Sequence, residues 1–318
     1  SASKSTAKST TSNLIIKIPN SSGTFNSFKV RESSILEPKY QEKHPELHTY
    51  IGQNLNNPSS LIRFSITPKG FHGIVLSSKT GTQFIDPYML DNTYIVYNKG
   101  DLPMLKEAFK CYLPEHFTAE KTTNKASKSL KNASDKNLRT FRLALASTIE
   151  YSRFHWLNAG LTEGDTEADK KAAVLDAMVV TMNRVNSIFQ RDLAVLMTLV
   201  DNSSIIFIDN DGFSEGGPSL RENQTVFDNN IQPENYDLGH TFSTTGFGRA
   251  FLNGPCVDRI KAGGITGIKN PVGDSYDIDF VCHEMGHQFG APHSFNGNAG
   301  NCSGGNRVPD NAYETGSG

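Results

Sequence analysis

Four cysteines, at positions 111, 256, 282 and 302, are too few to staple 318 residues together, so a disulfide-built scaffold is excluded. Their spacing fits no structural zinc pattern either. Two disulfides, an unpaired thiol and a partner beyond residue 318 all stay open. Long hydrophobic runs are also missing. "LAVLMTLV" (Leu193–Val200) is among the longest, against the ~20 residues a membrane-spanning helix needs. Charge of one sign is not in excess: the formal net charge is −2, which recommends neither a nucleic acid nor an anionic membrane as partner. The first residues, "SASKSTAKSTTS", lack the apolar core of a signal peptide. That leaves a cytosolic protein or one whose signal has already been removed.

What is present suffices for two ordinary domains with real cores, since 36% of the residues are hydrophobic. Residues 1–13 read as a disordered tail. From 14 to 117 the chain reads as β-rich. "LIRFSITPKGFHGIVL" (Leu61–Leu76) alternates around a Pro-Lys-Gly turn, and "GTQFIDPYML" and "NTYIVYN" continue in β-branched and aromatic residues. Residues 118–137, "TAEKTTNKASKSLKNASDKN", hold five lysines, one leucine and no aromatic residue. Such a stretch cannot bury enough surface to order itself, so it is expected to be a linker open to proteases.

From 138 onward the pattern alternates between strand and helix. "LRTFRLALAST", "LAVLMTLV" and "SIIFID" read as strands. Val174, Ala177, Met178, Met182, Val185, Ile188 and Phe189 recur at helical spacing, and "SLRENQTVFDNNI" predicts a shorter helix. The expected class is therefore α+β or α/β, a β-rich N-terminal part followed by a mostly parallel twisted sheet with long helices.

The densest chemistry lies in "CHEMGHQFGAPH" (Cys282–His293). Ile278, Val281, Met285 and Phe289 predict a helix buried along one side. His283 and His287 would then stand one turn apart on the same face, able to reach one ion. Glu284, offset around the helix, can face a metal-bound water without binding the metal. Gly290 can take the left-handed conformation that ends a helix and redirects the chain, bringing His293 back as a third ligand. Three neutral histidines leave a position open for water, which is the pattern of a catalytic zinc. Zinc lowers the pKa of its water from about 15.7 toward roughly 7, and Glu284 would serve as general base and then deliver the proton to a leaving amine. The expected cofactor is one catalytic Zn²⁺.

"HEMGHQFGAPH" matches the HExxHxxGxxH signature of the metzincin metallopeptidases. The surrounding segments "NYDLGHTFSTTGFGRAF" (Asn235–Phe251), "GITG" (Gly264–Gly267) and "NPVGDSYDIDFV" resemble those of the reprolysin or adamalysin-like branch, in its secreted bacterial form. The β-rich part is similar to the pro-domain of such enzymes. The resemblance covers most of residues 50–318, strongly from about 235. It implies His283, His287 and His293 as zinc ligands and Glu284 as general base. It places Thr245, Gly246, Phe247 and Gly248 on the edge strand that pairs with an extended substrate. Cys111, in "FKCYLP" at the end of the presumed pro-domain, is a candidate latency ligand, its thiolate filling the open zinc position as in cysteine-switch zymogens; a disulfide-bonded or simply buried cysteine is the alternative.

Two departures stand out. Ser294 follows the third histidine where animal reprolysins carry Asp, and no methionine follows Met285. The methionine turn beneath the metal is thus expected beyond residue 318, leaving the catalytic domain, 138–318, truncated before it. Other candidates are weaker. His240 reads as structural or substrate-side, and His44, His48, His72, His116 and His155 have no supporting pattern. "DNDG" (Asp209–Gly212) reads as a turn, with Ca²⁺ binding as its alternative, since the downstream bidentate Glu of a calcium loop is lacking. The combined expectation is a secreted zinc endopeptidase in zymogen form. Its partners would be protein or peptide substrates and its own pro-domain as inhibitor, with no nucleic acid and no membrane span. The alternative is an inactive, zinc-stabilised adhesion or binding domain on the same fold. A gluzincin-type site, with a downstream Glu as third ligand, would leave Gly290 and His293 unexplained.

Overall fold

The computed structural model describes residues 14–88, 93–102, 110–112, 136–214 and 216–291. The expected tail 1–13, the linker apart from Lys136 and Asn137, His116, His293 and Cys302 lie outside the described residues.

The N-terminal part is an antiparallel sheet whose seven strands follow one another in chain order. They are β1 (Leu14–Pro19), β2 (Phe25–Glu32), β3 (His48–Asn54), β4 (Leu61–Thr67), β5 (Gly70–Ser77), β6 (Gly81–Pro87) and β7 (Tyr94–Asn98). The Pro-Lys turn closes the β4–β5 hairpin with Thr67 opposite Gly70, and Gly70 takes φ +113°, open to glycine at little cost. Period-two alternation gives the sheet two faces. Val75 and Ile85 join Phe28, Val30, Ile62 and Phe64 in one cluster. Their neighbours Ile74, Leu76 and Phe84 point the other way and pack with Ile188 and Ile278. Between β2 and β3 lies a short helix, α1 (Pro38–Lys43).

The second sheet has six strands in the order β10-β9-β11-β13-β12-β8. These are β8 (Lys110–Tyr112), β9 (Arg139–Ser147), β10 (Val195–Leu199), β11 (Leu238–Ser243), β12 (Phe247–Ala250) and β13 (Gly264–Gly267). The pairs β10–β9, β9–β11 and β11–β13 are parallel, β12 runs antiparallel to β13, and β8 runs parallel to β12. The chain is thus mixed α/β.

The helices are α2 (Ile149–Asn158), α3 (Glu167–Ile188), α4 (Leu220–Asn230) and α5 (His283–Gln288). α3 begins where the Thr166 side chain accepts the Asp169 amide, and α4 begins at a capping box of Ser219 and Glu222. Val174, Met178, Met182 and Val185 are fully buried in the main core with Leu143, Leu145, Met197 and Leu199.

Two elements differ from expectation. "SIIFID" is no strand: it makes a single bridge, Ser147 with Ile206, while Ile205 and Ile206 are buried from a turn. An apolar run of this length looks the same whether it fills a strand or a buried turn. α2 escaped the periodicity because its buried face mixes Tyr151 and Trp156 with Ser152 and His155.

Candidate metal centre

α5 is preceded without a break by wide π-helical turns, Ser275–Cys282. Their inner face carries Tyr276, Phe280 and Val281 into the protein, and Met285 follows one turn on. The entry is pinned from α3. Asp277, fully buried, accepts hydrogen bonds from the Thr181 hydroxyl at 2.7 Å and from Arg184 at 3.0 Å. Burial pushes the Asp277 carboxyl up, and the Arg184 guanidinium pulls it back down.

The far end of α5 is pinned from the sheet. Gln288 donates to the Gly239 carbonyl at 2.9 Å, and its side-chain oxygen lies 2.8 Å from His240 Nδ1. His240 Nε2 in turn lies 2.9 Å from the Thr266 hydroxyl. Burial lowers the His240 pKa to about 4, so the ring is neutral. Gly264 makes room for this arrangement, because a Cβ there would lie 2.3 Å from Gln288 Oε1. His240 is structural in this geometry. Nothing in the sequence distinguished Gln288 from any other polar residue beside a histidine.

Within this frame His283 and His287 converge. Their Nε2 atoms are 2.9 Å apart and their rings are nearly perpendicular. His287 Nδ1 lies 2.6 Å from the Ala291 carbonyl. A carbonyl can only accept, so Nδ1 carries the proton and the Nε2 lone pair turns inward. Ala291 reaches that position because Gly290 takes φ +98°; the Gly290 amide donates to the His287 carbonyl at 2.8 Å. His293 lies outside the described residues.

Cys111 arrives from the opposite side. β8 lies along β12 with Cys111 opposite Gly248, and its Sγ is 3.4 Å from His287 Nε2. Of the expected edge-strand residues, Phe247 and Gly248 are on β12, whereas Thr245 and Gly246 form the bend before it. β12 is not an outermost strand among the described residues, since β8 covers it.

Glu284 completes the group. It is fully buried, and neither carboxylate oxygen makes a hydrogen bond of ordinary geometry among the described residues. Burial raises its pKa to about 8, with the Cys111 thiol pulling the other way. One donor atom each from Cys111, His283, Glu284 and His287 lies within 4.8 Å of the others. Two imidazoles, a thiol and a buried carboxyl group are the donor types that a divalent cation draws together. Two imidazole nitrogens at this separation can both sit about 2 Å from one point, the zinc–nitrogen distance. The residues fit a zinc ion.

No comparable group forms around "DNDG" among the described residues. Asp211 instead accepts the amides of Ile149 at 3.1 Å and Phe213 at 3.0 Å, so the stretch serves as a turn and the start of α2.

Such a group, a carboxyl beside two histidines of one helix on a mixed α/β frame, has the donor set that metal-dependent hydrolases use. Residues 175–294 match the family model described as Metallo-peptidase family M12B Reprolysin-like. The match supports a reprolysin-like metallopeptidase, from a family that is zinc-dependent and acts on proteins. No curated protein matches the chain. No helix among the described residues is long and apolar enough to cross a membrane.

Proposed function

We propose that the chain is the zymogen of a secreted zinc endopeptidase, with residues 14–117 as pro-domain, 118–137 as processing linker and 138–318 as catalytic domain. The observation that carries this reading is the convergence of His283, His287 and Cys111 around the buried carboxylate of Glu284.

His283 and His287 would hold the zinc, with His293 as the third ligand that the signature implies. When bound, zinc acidifies water and polarises a carbonyl. Glu284 takes the proton of the attacking water on a carboxylate oxygen and passes it to the nitrogen of the departing amine. Its burial keeps bulk water away and sharpens that exchange. An extended peptide would use the backbone groups of Phe247–Arg249 on β12, by strand addition. In the intact chain Lys110–Tyr112 occupies that edge, and the Cys111 thiol blocks the approach of water. Latency and substrate binding therefore compete for one strand and one position. An inactive binding domain would have no use for a general-base carboxyl group buried beside two imidazoles, so Glu284 favours catalysis.

The test is hydrolysis of casein or a quenched fluorescent peptide by zinc-loaded protein folded as the full chain, then cut in its linker and freed of residues 14–112 by mild urea, with and without chelator, beside Glu284→Ala. Absence of chelator-sensitive hydrolysis in zinc-loaded protein would overturn the reading.

A further inference from the structure

The contacts of residues 14–112 with the rest of the chain go well beyond the metal centre. They grip the six-stranded sheet at both of its edges. On one side, Leu36 bridges Leu199 in parallel fashion; the Leu199 amide donates to the Ile35 carbonyl at 2.6 Å and the Glu37 amide donates to the Leu199 carbonyl at 2.9 Å. On the other side β8 pairs with β12.

The grip extends into the core. Ile35, Leu36, Tyr40 and Leu47 are buried in the same hydrophobic cluster as Leu143, Met197 and Leu199. The Tyr40 hydroxyl donates to Asn202 Oδ1 at 2.7 Å, also buried. Across α3, Arg63 donates to Asn183 at 2.9 Å and to Gln190. Arg184 is shared between Asp86 of the N-terminal sheet, at 2.5 Å, and Asp277. Lys99 bridges Asp274 and Asp279, and Ile74, Leu76 and Phe84 pack with Ile188 and Ile278.

This is an interface of core character, with buried aliphatic side chains, strand pairing and partly buried charge pairs. None of these contacts passes through residues 113–135. A cut there leaves each of these contacts in place and removes the covalent connection, which contributes an effective concentration. Losing residues 14–112 would expose Leu199, Ile188 and Ile278 and strip Asp274 of its cation.

We propose that scission within 118–135 leaves residues 14–112 docked, and that the nicked protein is a latent two-chain complex. The consequence for latency rests on the zymogen reading above; the docking does not. Because Cys111 lies before any such cut, its thiol stays on β12 and beside His287. Activation then requires a second event that dismantles the N-terminal sheet, such as proteolysis within residues 14–112. A single processing cut is not the switch.

The experiment uses the full chain with a site-specific protease sequence replacing "NKASKS" (124–129). After complete cutting, the expected result is one species on size-exclusion chromatography, containing both fragments, that survives dilution to about 0.1 μM. Peptide hydrolysis is expected to stay at the uncut level until the N-terminal fragment is stripped by mild urea and the remainder returned to zinc-containing buffer. Separation of the fragments under native conditions overturns the proposal, as does hydrolysis that rises to the stripped level on scission alone. Co-elution combined with no hydrolysis in any form supports the docking and instead overturns the peptidase reading of the site.

Discussion

Cys111 stands opposite Gly248 in a parallel β-ladder, and that register sets its sulfur 3.4 Å from His287 Nε2. A strand pairing and a metal-site contact are thus one structural fact. Replacing the thiol while leaving the backbone pairing intact should separate their contributions. In Cys111→Ala the edge of β12 stays covered but the metal position opens to water. Intact Cys111→Ala protein is expected to hydrolyse a small quenched peptide at least about tenfold faster than the intact wild type, corresponding to loss of a contact of roughly 1.4 kcal/mol or more. A variant as silent as wild type would leave β8 alone responsible for latency.

Glu284→Gln keeps the shape of the buried side chain and removes its capacity to accept a proton. Hydrolysis by protein cut in the linker and stripped of residues 14–112 should fall by about 10²–10⁴-fold, with zinc content unchanged by metal analysis. Loss of zinc alongside activity would assign Glu284 to the ligand set instead.

His287→Ala removes an inward lone pair and should abolish zinc uptake at micromolar metal. Chelation should lower the thermal midpoint of the wild type, because metal that binds only the folded state stabilises it by mass action. The same chelator should leave the midpoint of His287→Ala unmoved.

Two glycines of the zinc helix region should respond oppositely to alanine. At Gly290, with φ +98°, a Cβ would lie 2.2 Å from Asn253 Oδ1. Gly290→Ala is expected to destabilise by about 1–3 kcal/mol. At Gly286 a Cβ would meet nothing within 4 Å, and helix propensity favours alanine there by about 0.5–1 kcal/mol. Denaturant midpoints of the two variants should move in opposite directions.

Acid should destabilise the fold through two buried histidines. Burial lowers the pKa of His155 to about 3, the nearby Lys69 charge acting the same way and the Pro271 carbonyl opposing it. Burial lowers that of His240 to about 4, with Gln288 opposing. Both fall below the ordinary value of about 6.5, so the unfolded chain binds more protons and stability drops as pH falls. The window runs from about pH 6.5 down to about 4, with little slope from these groups above pH 7. Thermal midpoints between pH 7.5 and 4.5 should show this decline, and His240→Gln should make it shallower.

What can be read without the fold is what depends on neighbours within a turn or two. The spacing of Val174, Met178, Met182 and Val185 sets the buried stripe of α3, and Ser219 with Glu222 sets the start of α4. Thr67 and Gly70 close a hairpin. His283, Glu284, His287 and Gly290 sit within eight residues, so a helix and its end place them almost unaided. α2 and the "SIIFID" turn were harder, because burial there follows tertiary neighbours and not a local period.

Cys111 could be named as a candidate from its position, but nothing local fixes its distance from His287, 176 residues further on. The strand order alone brings β8 to β12, and the folding of the N-terminal sheet against α3 alone sets Asp86 beside Arg184. The sequence by itself determined the local chemistry: two imidazoles and a carboxylate on one helix, followed by a glycine that lets the chain turn back. Tertiary structure decided what faces that chemistry, since long-range strand pairing and shared burial depend on the whole chain closing on itself and leave no periodic mark in any one segment.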